Sequence, residues 1–304
     1  MRIGVERPRC RVYRLSLKGD QSMMKAEVLC DALCIVGESP LWDSRRQQLY
    51  MVDIQGKRLR TIDWNSAAAV DRVLPQPVGF LVSGQAGELL GGGVDGVYRL
   101  DGGRFDRLSA AQPLKGERFN DGKVGPDGRL YLGTFSRDYS AAFYRMEPDG
   151  VLTELFDGVG NSNGLAWDAT GTRLYYNDTP TGRTDCFMRQ PDGSWGDRRP
   201  VCCYTAGYPD GMTIDRNGNL WVALWGSGTV VCVEPDGGKI VETVSLPVSQ
   251  PSSCTFAGAR LDTLVITTAA HGVHLRDEPL AGSVFAVQPG VQGLEPERLE
   301  GVSV

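Results

Sequence analysis

A short apolar segment that begins with Leu recurs six times along the chain. The six segments begin at Leu49, Leu89, Leu130, Leu174, Leu220 and Leu264, so that successive leucines are between 40 and 46 residues apart. A turn of small and polar residues precedes each segment, and a second apolar segment precedes each turn. Such turns are typical of antiparallel hairpins, because Gly, Asn and Asp tolerate positive φ. The repeat therefore predicts one hairpin in each of six units.

Further strands complete each unit. A third apolar segment follows the hairpin, as at 96–100, 143–146, 229–233 and 283–287, and a weaker fourth follows that, as at 151–155. The 39 Gly and 17 Pro residues fit a chain of many turns and few helices. Four strands repeated at this period are typical of propeller blades, which bury their faces by stacking around an axis. We predict an all-β, six-bladed β-propeller, closed by the strand near 26–29.

The propeller is expected to span residues 25–304, with residues 1–24 as an N-terminal extension that is disordered or precedes the true start. Six of its first 18 residues are basic, and it lacks the apolar core of a secretion signal. Eight scattered cysteines without a C-x-x-C pair favour buried thiols and a cytoplasmic location.

The same repeat predicts a ring of polar side chains. The apolar segment before each turn contains one anchor residue, and the six anchors are Trp42, Val82, Val124, Trp167, Ile214 and Phe256. The position four residues before each anchor is equivalent in all six units, and equivalent positions lie on one circle around the axis. These positions are Glu38, Val78, Asn120, Asn163, Asp210 and Ser252. Two carboxylates, two amides and a hydroxyl, with no Lys or Arg, form an oxygen-rich set that suits a hard divalent cation. The pattern thus indicates one metal site on the propeller axis.

Charge and composition exclude several function classes. The net charge is −5, from 32 Lys and Arg against 37 Asp and Glu, which disfavours a nucleic-acid partner. No run of 18 apolar residues exists, so no membrane span is expected. His271 and His274 are the only histidines in the sequence, which rules out a three-His zinc site.

Four segments resemble the family of regucalcin (senescence marker protein-30), gluconolactonase and the luciferin-regenerating enzyme. They are Gly-Glu-Ser-Pro-Leu-Trp at 37–42, Arg-Phe-Asn-Asp-Gly-Lys at 118–123, Asn-Gly-Leu at 163–165 and Tyr-Pro-Asp-Gly-Met at 208–212. The resemblance covers roughly residues 25–290 and implies a six-bladed propeller that hydrolyses sugar lactones with one divalent metal.

The resemblance also implies roles for individual residues. It places the metal ligands on Glu38, Asn163 and Asp210, and the substrate contacts on Arg118 and Asn120. A further acidic substrate contact falls near Asp138, whose side chain is shorter than the Glu often found there.

Lactone hydrolysis requires a polarised carbonyl and a deprotonated water. Asp210 is one candidate for the general base and Asp121 is the other. Ca, Zn, Mn, Mg and Fe all remain candidates for the metal. The expected substrate is an aldonolactone such as glucono-, arabinono- or xylonolactone, and the expected assembly is a monomer or a weak homo-oligomer.

Two alternative functions are considered. The first is a non-catalytic calcium-binding propeller, in which protein ligands would close the coordination sphere. The second is a paraoxonase-like hydrolase of organophosphates or lipophilic lactones, which the scarcity of histidine disfavours.

Overall fold

Nearly all regular structure in this protein is β-strand. The computed structural model describes residues 23–112 and 114–301, and its 26 strands are numbered β1 to β26 in chain order. Two single-turn 3-10 helices also occur, at Asp101–Gly103 and Thr179–Thr181. Within the described ranges, no helix has the length and apolar character needed to cross a membrane.

Three of the six sheets contain four antiparallel strands in simple chain order. Blade 1 is formed by β3 (Gly37–Asp43), β4 (Gln48–Asp53), β5 (Arg58–Asp63) and β6 (Ala69–Val73). Blade 3 is formed by β11 (Arg118–Val124), β12 (Leu130–Phe135), β13 (Ala141–Met146) and β14 (Leu152–Val159). Blade 4 is formed by β15 (Ser162–Trp167), β16 (Arg173–Asp178), β17 (Arg183–Arg189) and β18 (Trp195–Cys203).

The other three sheets recruit strands from the ends of the chain. Blade 2 contains β7 (Phe80–Gly84), β8 (Leu89–Gly92), β9 (Val97–Arg99), β10 (Asp106–Arg107) and β26 (Arg298–Leu299). Blade 5 contains β19 (Tyr208–Ile214), β20 (Leu220–Trp225), β21 (Thr229–Glu234), β22 (Lys239–Ser245) and β1 (Met24–Lys25). Blade 6 contains β23 (Pro251–Ala257), β24 (Thr263–Thr268), β25 (Val284–Val287) and β2 (Glu27–Cys30). The six-bladed β-propeller predicted from the repeat is confirmed.

Ring closure uses the N-terminal strand that the sequence predicts. Strand β2 pairs antiparallel with β25 and completes blade 6, while β1 pairs parallel with β22 of blade 5. The N-terminal segment thus joins two neighbouring blades. The extension predicted for residues 1–24 lies outside the described residues up to residue 22, whereas Met24 and Lys25 belong to β1.

The core lies between the blades. The innermost strands β3, β7, β11, β15, β19 and β23 contact one another in cyclic order. Aromatic side chains fill the gaps between successive sheets: Phe156 stacks between Phe143 of blade 3 and Phe187 of blade 4, with centroid distances of 5.0 Å on both sides. Such offset aromatic contacts stabilise beyond the area that they bury. Six cysteines of the described part carry free thiols, and five of these are buried.

The C-terminal segment closes one end of the central channel. Strand β26 pairs parallel with β7 at the inner edge of blade 2, and Gly293 bridges to Asp215 of blade 5. Residues 294–297 between them line an axial cavity of about 330 Å³, whose walls come from all six innermost strands. The predicted polar ring lies towards the opposite end, where the innermost strands begin.

Candidate active site

The polar ring predicted from the repeat lies where the innermost strands begin. Its six residues are buried, and five of them lie at the second or third position of their strand, whereas Val78 precedes β7 by two residues. The five strand residues are Glu38 in β3, Asn120 in β11, Asn163 in β15, Asp210 in β19 and Ser252 in β23. The equivalence of these positions, inferred from the repeat, is therefore a property of the fold.

Each polar ring residue coincides with a break in strand register. The pairing of the innermost strand with its neighbour shifts at Glu38, around Asn120, at Asn163, around Asp210 and around Ser252. Val78 lies before the pairing of β7 with β8, which runs from Phe80 to Ser83 without a shift. A β-bulge re-aims a side chain and frees it from the regular alternation of a strand. The five polar ring residues thus lie at or beside β-bulges.

The bulge at Glu38 depends on the residue after it. Ser39 adopts φ 48°, a left-handed conformation that is uncommon outside Gly. Its amide donates to Oε2 of Glu38 at 2.7 Å, and its Oγ accepts the amide of Leu81 in blade 2 at 2.7 Å. Because a carboxylate has two oxygens, this arrangement holds Glu38 in place and leaves Oε1 available to a ligand.

Asn163 is held by hydrogen bonds through its amide nitrogen. Nδ2 donates to Oγ1 of Thr179 at 2.9 Å, and Thr179 donates in turn to the carbonyl oxygen of Pro209 at 2.9 Å. The opposite atom, Oδ1, is buried and has no hydrogen-bond partner among the described residues. A buried acceptor without a partner is costly unless a ligand satisfies it.

Asp210 is fixed through its backbone by the neighbouring blade. Nδ2 of Asn177 in β16 donates to the carbonyl oxygen of Asp210 at 2.7 Å, and Thr184 donates to Oδ1 of Asn177 at 2.7 Å. Gly164 allows this approach, because a Cβ there would lie 2.6 Å from the same carbonyl oxygen. The Gly that follows Asn163 is therefore required by the packing of blade 4 against blade 5.

Arg118 and Asn120 are hydrogen-bonded to each other at the end of the channel where β11 begins. Nη1 of Arg118 donates to Oδ1 of Asn120 at 2.7 Å, and Nδ2 of Asn120 donates to the carbonyl oxygen of Ser162 at 2.9 Å. The Arg118 guanidinium also lies over the ring of Phe135, 5.4 Å from its centroid. A guanidinium has five N–H groups, so donors remain for an oxygen-rich substrate.

Three acidic side chains of the site, Glu38, Asp210 and Asp121, interact with one another away from solvent. Burial, followed by repulsion from Asp210 and Asp121, raises the pKa of Glu38 well above its usual range. Burial and Asp121 likewise raise the pKa of Asp210, against the opposing effects of an Asn163 hydrogen bond and Arg118. Three carboxylates here face two cations, Arg118 and Lys123, and a divalent cation between Glu38 and Asp210 would relieve the repulsion between the carboxylates.

Asp121 and Lys123 face the channel below the ring. Burial raises the pKa of Asp121, and the charge of Lys123 partly offsets that effect. One oxygen of Asp121 accepts the amide of Gly122 at 2.7 Å. Both residues line the axial cavity.

Asp138 lies apart, in the loop between β12 and β13. It is exposed, and its Oδ1 accepts hydrogen bonds from the side chain of Ser136 and from the amide of Ser140 at 3.2 Å. These bonds lower the pKa of Asp138 to about 2. This loop lies at the same end of the propeller as the ring, because Phe135, at the end of β12, pairs with Arg118 at the start of β11.

The two histidines lie outside the ring. His271 and His274 are exposed residues of the long loop of blade 6, and Nδ1 of His271 is 3.1 Å from Oε1 of Gln55. In residues 23–112 and 114–301, no three His, Cys, Asp or Glu side chains are placed to share a metal ion. A metal site in the ring would therefore combine the carboxylates with oxygen atoms of another kind, and the amide oxygen of Asn163 is one that the ring offers.

Comparison with known proteins assigns the fold to a family. Residues 36–270 match the model of the SMP-30/Gluconolactonase/LRE-like region. The chain belongs to this family. It is 35% identical over 290 residues to a protein named as a sugar lactone lactonase, YvrE, of Bacillus subtilis, a match that covers 91% of this chain and 99% of the relative.

Other members of the SMP-30/gluconolactonase family show the same relationship. Regucalcin of Danio rerio is 34% identical over 304 residues, covering 92% of this chain and all of the relative. The crystal structure of regucalcin from Agrobacterium tumefaciens, described as a calcium-binding protein, superposes with a TM-score of 0.83 at 22% identity, covering 91% and 98% of the two chains. The structural match supports the fold.

The residues present fit a divalent cation. Glu38 and Asp210 supply two buried carboxylates, and Asn163 supplies a buried oxygen that accepts no hydrogen bond from residues 23–112 or 114–301. Oxygen donors of this kind suit hard cations.

Three residues that support this site are not among the site residues predicted from the sequence. Thr179 accepts a hydrogen bond from Asn163, and Asn177 donates one to the backbone of Asp210. Lys123 reaches across the channel to the carbonyl oxygen of Leu165. The motif Asn-Asp-Thr-Pro at 177–180 was the one available hint, since it places polar residues at a strand end. Asp178 in that motif caps the backbone, because its Oδ1 accepts the amides of Gly160 and Asn161.

Proposed function

We propose that this protein is a metal-dependent hydrolase that opens a sugar-acid lactone to the free acid. The observation that carries the proposal is the arrangement of Glu38, Asn163 and Asp210 at the bulges of three innermost strands. They supply two buried carboxylates and an amide oxygen that has no hydrogen-bond partner in the described part of the chain. A relative with 35% identity over nearly its whole length is named as a sugar lactone lactonase, which supports lactones as the substrate class.

In this proposal, Glu38, Asn163 and Asp210 hold one divalent cation. When bound, the cation supplies Lewis acidity for the lactone carbonyl and lowers the pKa of water. Ca, Mg and Mn suit the oxygen donors best, and Zn and Fe stay within the proposal. Three protein ligands leave coordination positions for water and substrate, as a catalytic site requires.

Arg118, Asn120 and Asp138 bind the substrate in this proposal. Arg118 presents N–H donors to the ring oxygens, and Asn120, already oriented by Arg118 and Ser162, adds an amide. Asp138 uses Oδ1 within its own loop, which leaves Oδ2 to accept from a sugar hydroxyl. The expected substrates are aldonolactones such as glucono-, arabinono- or xylonolactone.

The hydrolytic step needs a proton acceptor. As the water oxygen bonds to the carbonyl carbon, a water proton passes to a carboxylate; the ring C–O bond then breaks, and the alkoxide oxygen takes up a proton. Asp210 is the first candidate for this base. Asp121 is the second, because its burial and its raised pKa favour proton uptake and it is not among the proposed ligands.

A panel of aldonolactones, assayed by acidification with a pH indicator, tests the function. The purified protein is stripped of metal with a chelator and then reloaded with Ca, Mg, Mn, Zn or Fe in separate samples. We expect lactone opening to disappear on stripping and to return with at least one metal. Full activity in the metal-free sample would contradict the mechanism.

Substitutions then separate the two candidate bases. Asp210→Asn is expected to abolish both metal binding and turnover, whereas Asp121→Asn abolishes turnover with metal binding retained if Asp121 is the base. Asp192→Asn, in an exposed hairpin turn, is the matched control. Tight metal binding without hydrolysis of any lactone would instead support a calcium-binding propeller, and activity confined to lipophilic lactones would support a paraoxonase-like enzyme.

A further inference from the structure

Lys123 makes an unusual set of contacts for a lysine on a β-strand. It belongs to β11 of blade 3 and lines the axial cavity, where burial lowers its pKa. Its Nζ donates to the carbonyl oxygen of Leu165 in β15 at 2.8 Å and to that of Met212 in β19 at 2.8 Å. One side chain therefore connects the innermost strands of three consecutive blades.

The three connected strands carry most of the proposed site. Asn120 lies in β11 three residues before Lys123, Asn163 lies in β15 two residues before Leu165, and Asp210 lies in β19 two residues before Met212. The pairing within the sheets skips Asn120 and Asp210, and it shifts directly after Asn163, so the regular ladder of each blade is interrupted at or beside the site residue. A contact across the channel therefore constrains the three residues where the pairing within the sheets is interrupted.

Lys123 also balances charge. Lys123 and Asp121 line the same axial cavity, and the ammonium charge partly offsets the effect of burial on the pKa of Asp121. An ammonium has three N–H donors and no acceptor, so it can serve two carbonyl oxygens and still face a carboxylate. A neutral side chain of similar size would leave two carbonyl oxygens and one carboxylate without compensation.

We propose that Lys123 is a positioning residue, which ties β11, β15 and β19 together through the carbonyl oxygens of Leu165 and Met212 and thereby sets Asn120, Asn163 and Asp210 relative to one another while its charge balances Asp121. The inference rests on the proposed function. It adds a residue that touches neither the metal nor the substrate and acts through those that do.

The test compares Lys123→Met with Lys123→Arg and Lys115→Met. Lys115 is an exposed lysine that pairs with Glu154 and Asp157 on the surface, so its substitution controls for the loss of a lysine. We expect Lys123→Met to reduce kcat/KM and Mn²⁺ affinity by about 10- to 100-fold, as is typical when a residue behind the ligands is removed. Lys123→Arg should recover part of the loss, and Lys115→Met should match the wild type. A lower melting temperature with wild-type kcat/KM and Mn²⁺ affinity would overturn the inference.

A double-mutant cycle with Asp121→Asn tests the charge balance. We expect Lys123→Met to lower the free energy of unfolding of the metal-free protein less in the Asp121→Asn background, because the buried carboxylate that it leaves uncompensated is then absent. Equal costs in the two backgrounds would overturn the coupling with Asp121.

The inference also has a test that does not depend on activity. In a crystal structure of Lys123→Met, we expect the carbonyl oxygens of Leu165 and Met212 to move apart and the bond between Asn163 and Thr179 to lengthen. Unchanged positions would overturn the inference. A wild-type protein that opens no lactone would overturn the proposed function instead, and the crystal structure would still decide the role of Lys123.

Discussion

Nδ2 of Asn163 donates a hydrogen bond to Oγ1 of Thr179 at 2.9 Å, and this bond determines that Oδ1 is the end of the amide left without a partner among the described residues. Thr179 lies in the 3-10 helix that follows β16 and donates its own proton to the carbonyl oxygen of Pro209 in blade 5 at 2.9 Å. Because the hydroxyl proton is committed to Pro209, the hydroxyl oxygen acts as an acceptor towards Asn163. The oxygen of the amide is thereby directed to the position where we propose the metal.

Thr179→Val should weaken metal binding, because it removes the hydroxyl while preserving side-chain volume. We expect the dissociation constant for Mn²⁺ to rise about 10-fold, as is typical for loss of a group that orients a ligand. Thr179→Ser keeps the hydroxyl and should stay close to the wild type. Thr181→Val makes the same change in the same short helix, where the hydroxyl bonds the carbonyl oxygen of Asp178, and serves as the control. Equal Mn²⁺ affinity in all of these variants would show that Thr179 does not orient Asn163.

Asp138→Asn should raise KM for an aldonolactone with little change in kcat, if Oδ2 of Asp138 binds a sugar hydroxyl. The expected increase is about 10-fold, near the lower end of what a hydrogen bond to a charged group contributes. Asp192→Asn is the control in another exposed turn. An unchanged KM would indicate that Asp138 only stabilises its loop.

The same residue predicts a particular pH dependence. Hydrogen bonds from Ser136 and Ser140 lower the pKa of Asp138 to about 2, so the charged form persists well below the usual range of a carboxyl. A carboxyl group whose pKa is lower in the folded than in the unfolded protein stabilises the fold at pH values above its unfolded pKa. This stabilisation is lost only as the pH falls towards the folded pKa, where the group takes up a proton. The effect of Asp138→Asn on KM should therefore be constant between about pH 5 and pH 9.

The repeat and the ring were accessible from the sequence because both depend on regular spacing. Apolar anchors such as Trp42 and Trp167 fix where each innermost strand lies, and counting back along the strand reaches Glu38 and Asn163. The period of the pattern is a local property, so six repetitions predict the number of blades. The family motifs then suggested which ring residues matter.

The contacts that hold the ring were not accessible in this way. Lys123 binds backbone carbonyl oxygens, which every residue has, so no sequence signal marks Leu165 or Met212 as its partners. Thr179 is close to Asn163 only because β16 returns along β15 to the same end of blade 4. Strand β26 is only two residues long and pairs with a strand more than 200 residues earlier, which is too short for a periodic pattern.

Gly164→Ala should destabilise the protein and distort the site. A Cβ at this position would lie 2.6 Å from the carbonyl oxygen of Asp210 and 2.7 Å from Nδ2 of Asn177, both closer than normal packing allows. We expect the free energy of unfolding to fall by about 1–3 kcal/mol, the usual cost of inserting a methyl group into a tightly packed place. Because the clash falls on the backbone of a proposed ligand, Mn²⁺ affinity should fall in the same variant. Chemical denaturation and metal titration measure the two effects, and wild-type values for both would contradict the packing described here.

Leu299→Ala should destabilise the propeller through its C-terminal segment without affecting the site. Leu299 is 5% exposed and packs into the core shared by blades 2 and 3, whereas Leu294 in the same segment is 43% exposed. Truncation of a buried leucine costs about 2–5 kcal/mol, and truncation of an exposed one is usually within about 0.5 kcal/mol. Chemical denaturation of Leu299→Ala beside Leu294→Ala measures the difference.

Since residues 294–297 close the end of the channel opposite the ring, kcat/KM well below the melting temperature should equal that of the wild type in both variants. Equal stability of the two variants would show that β26 contributes little to the fold, and a large loss of kcat/KM in folded Leu299→Ala would show that closure of the channel matters to the site.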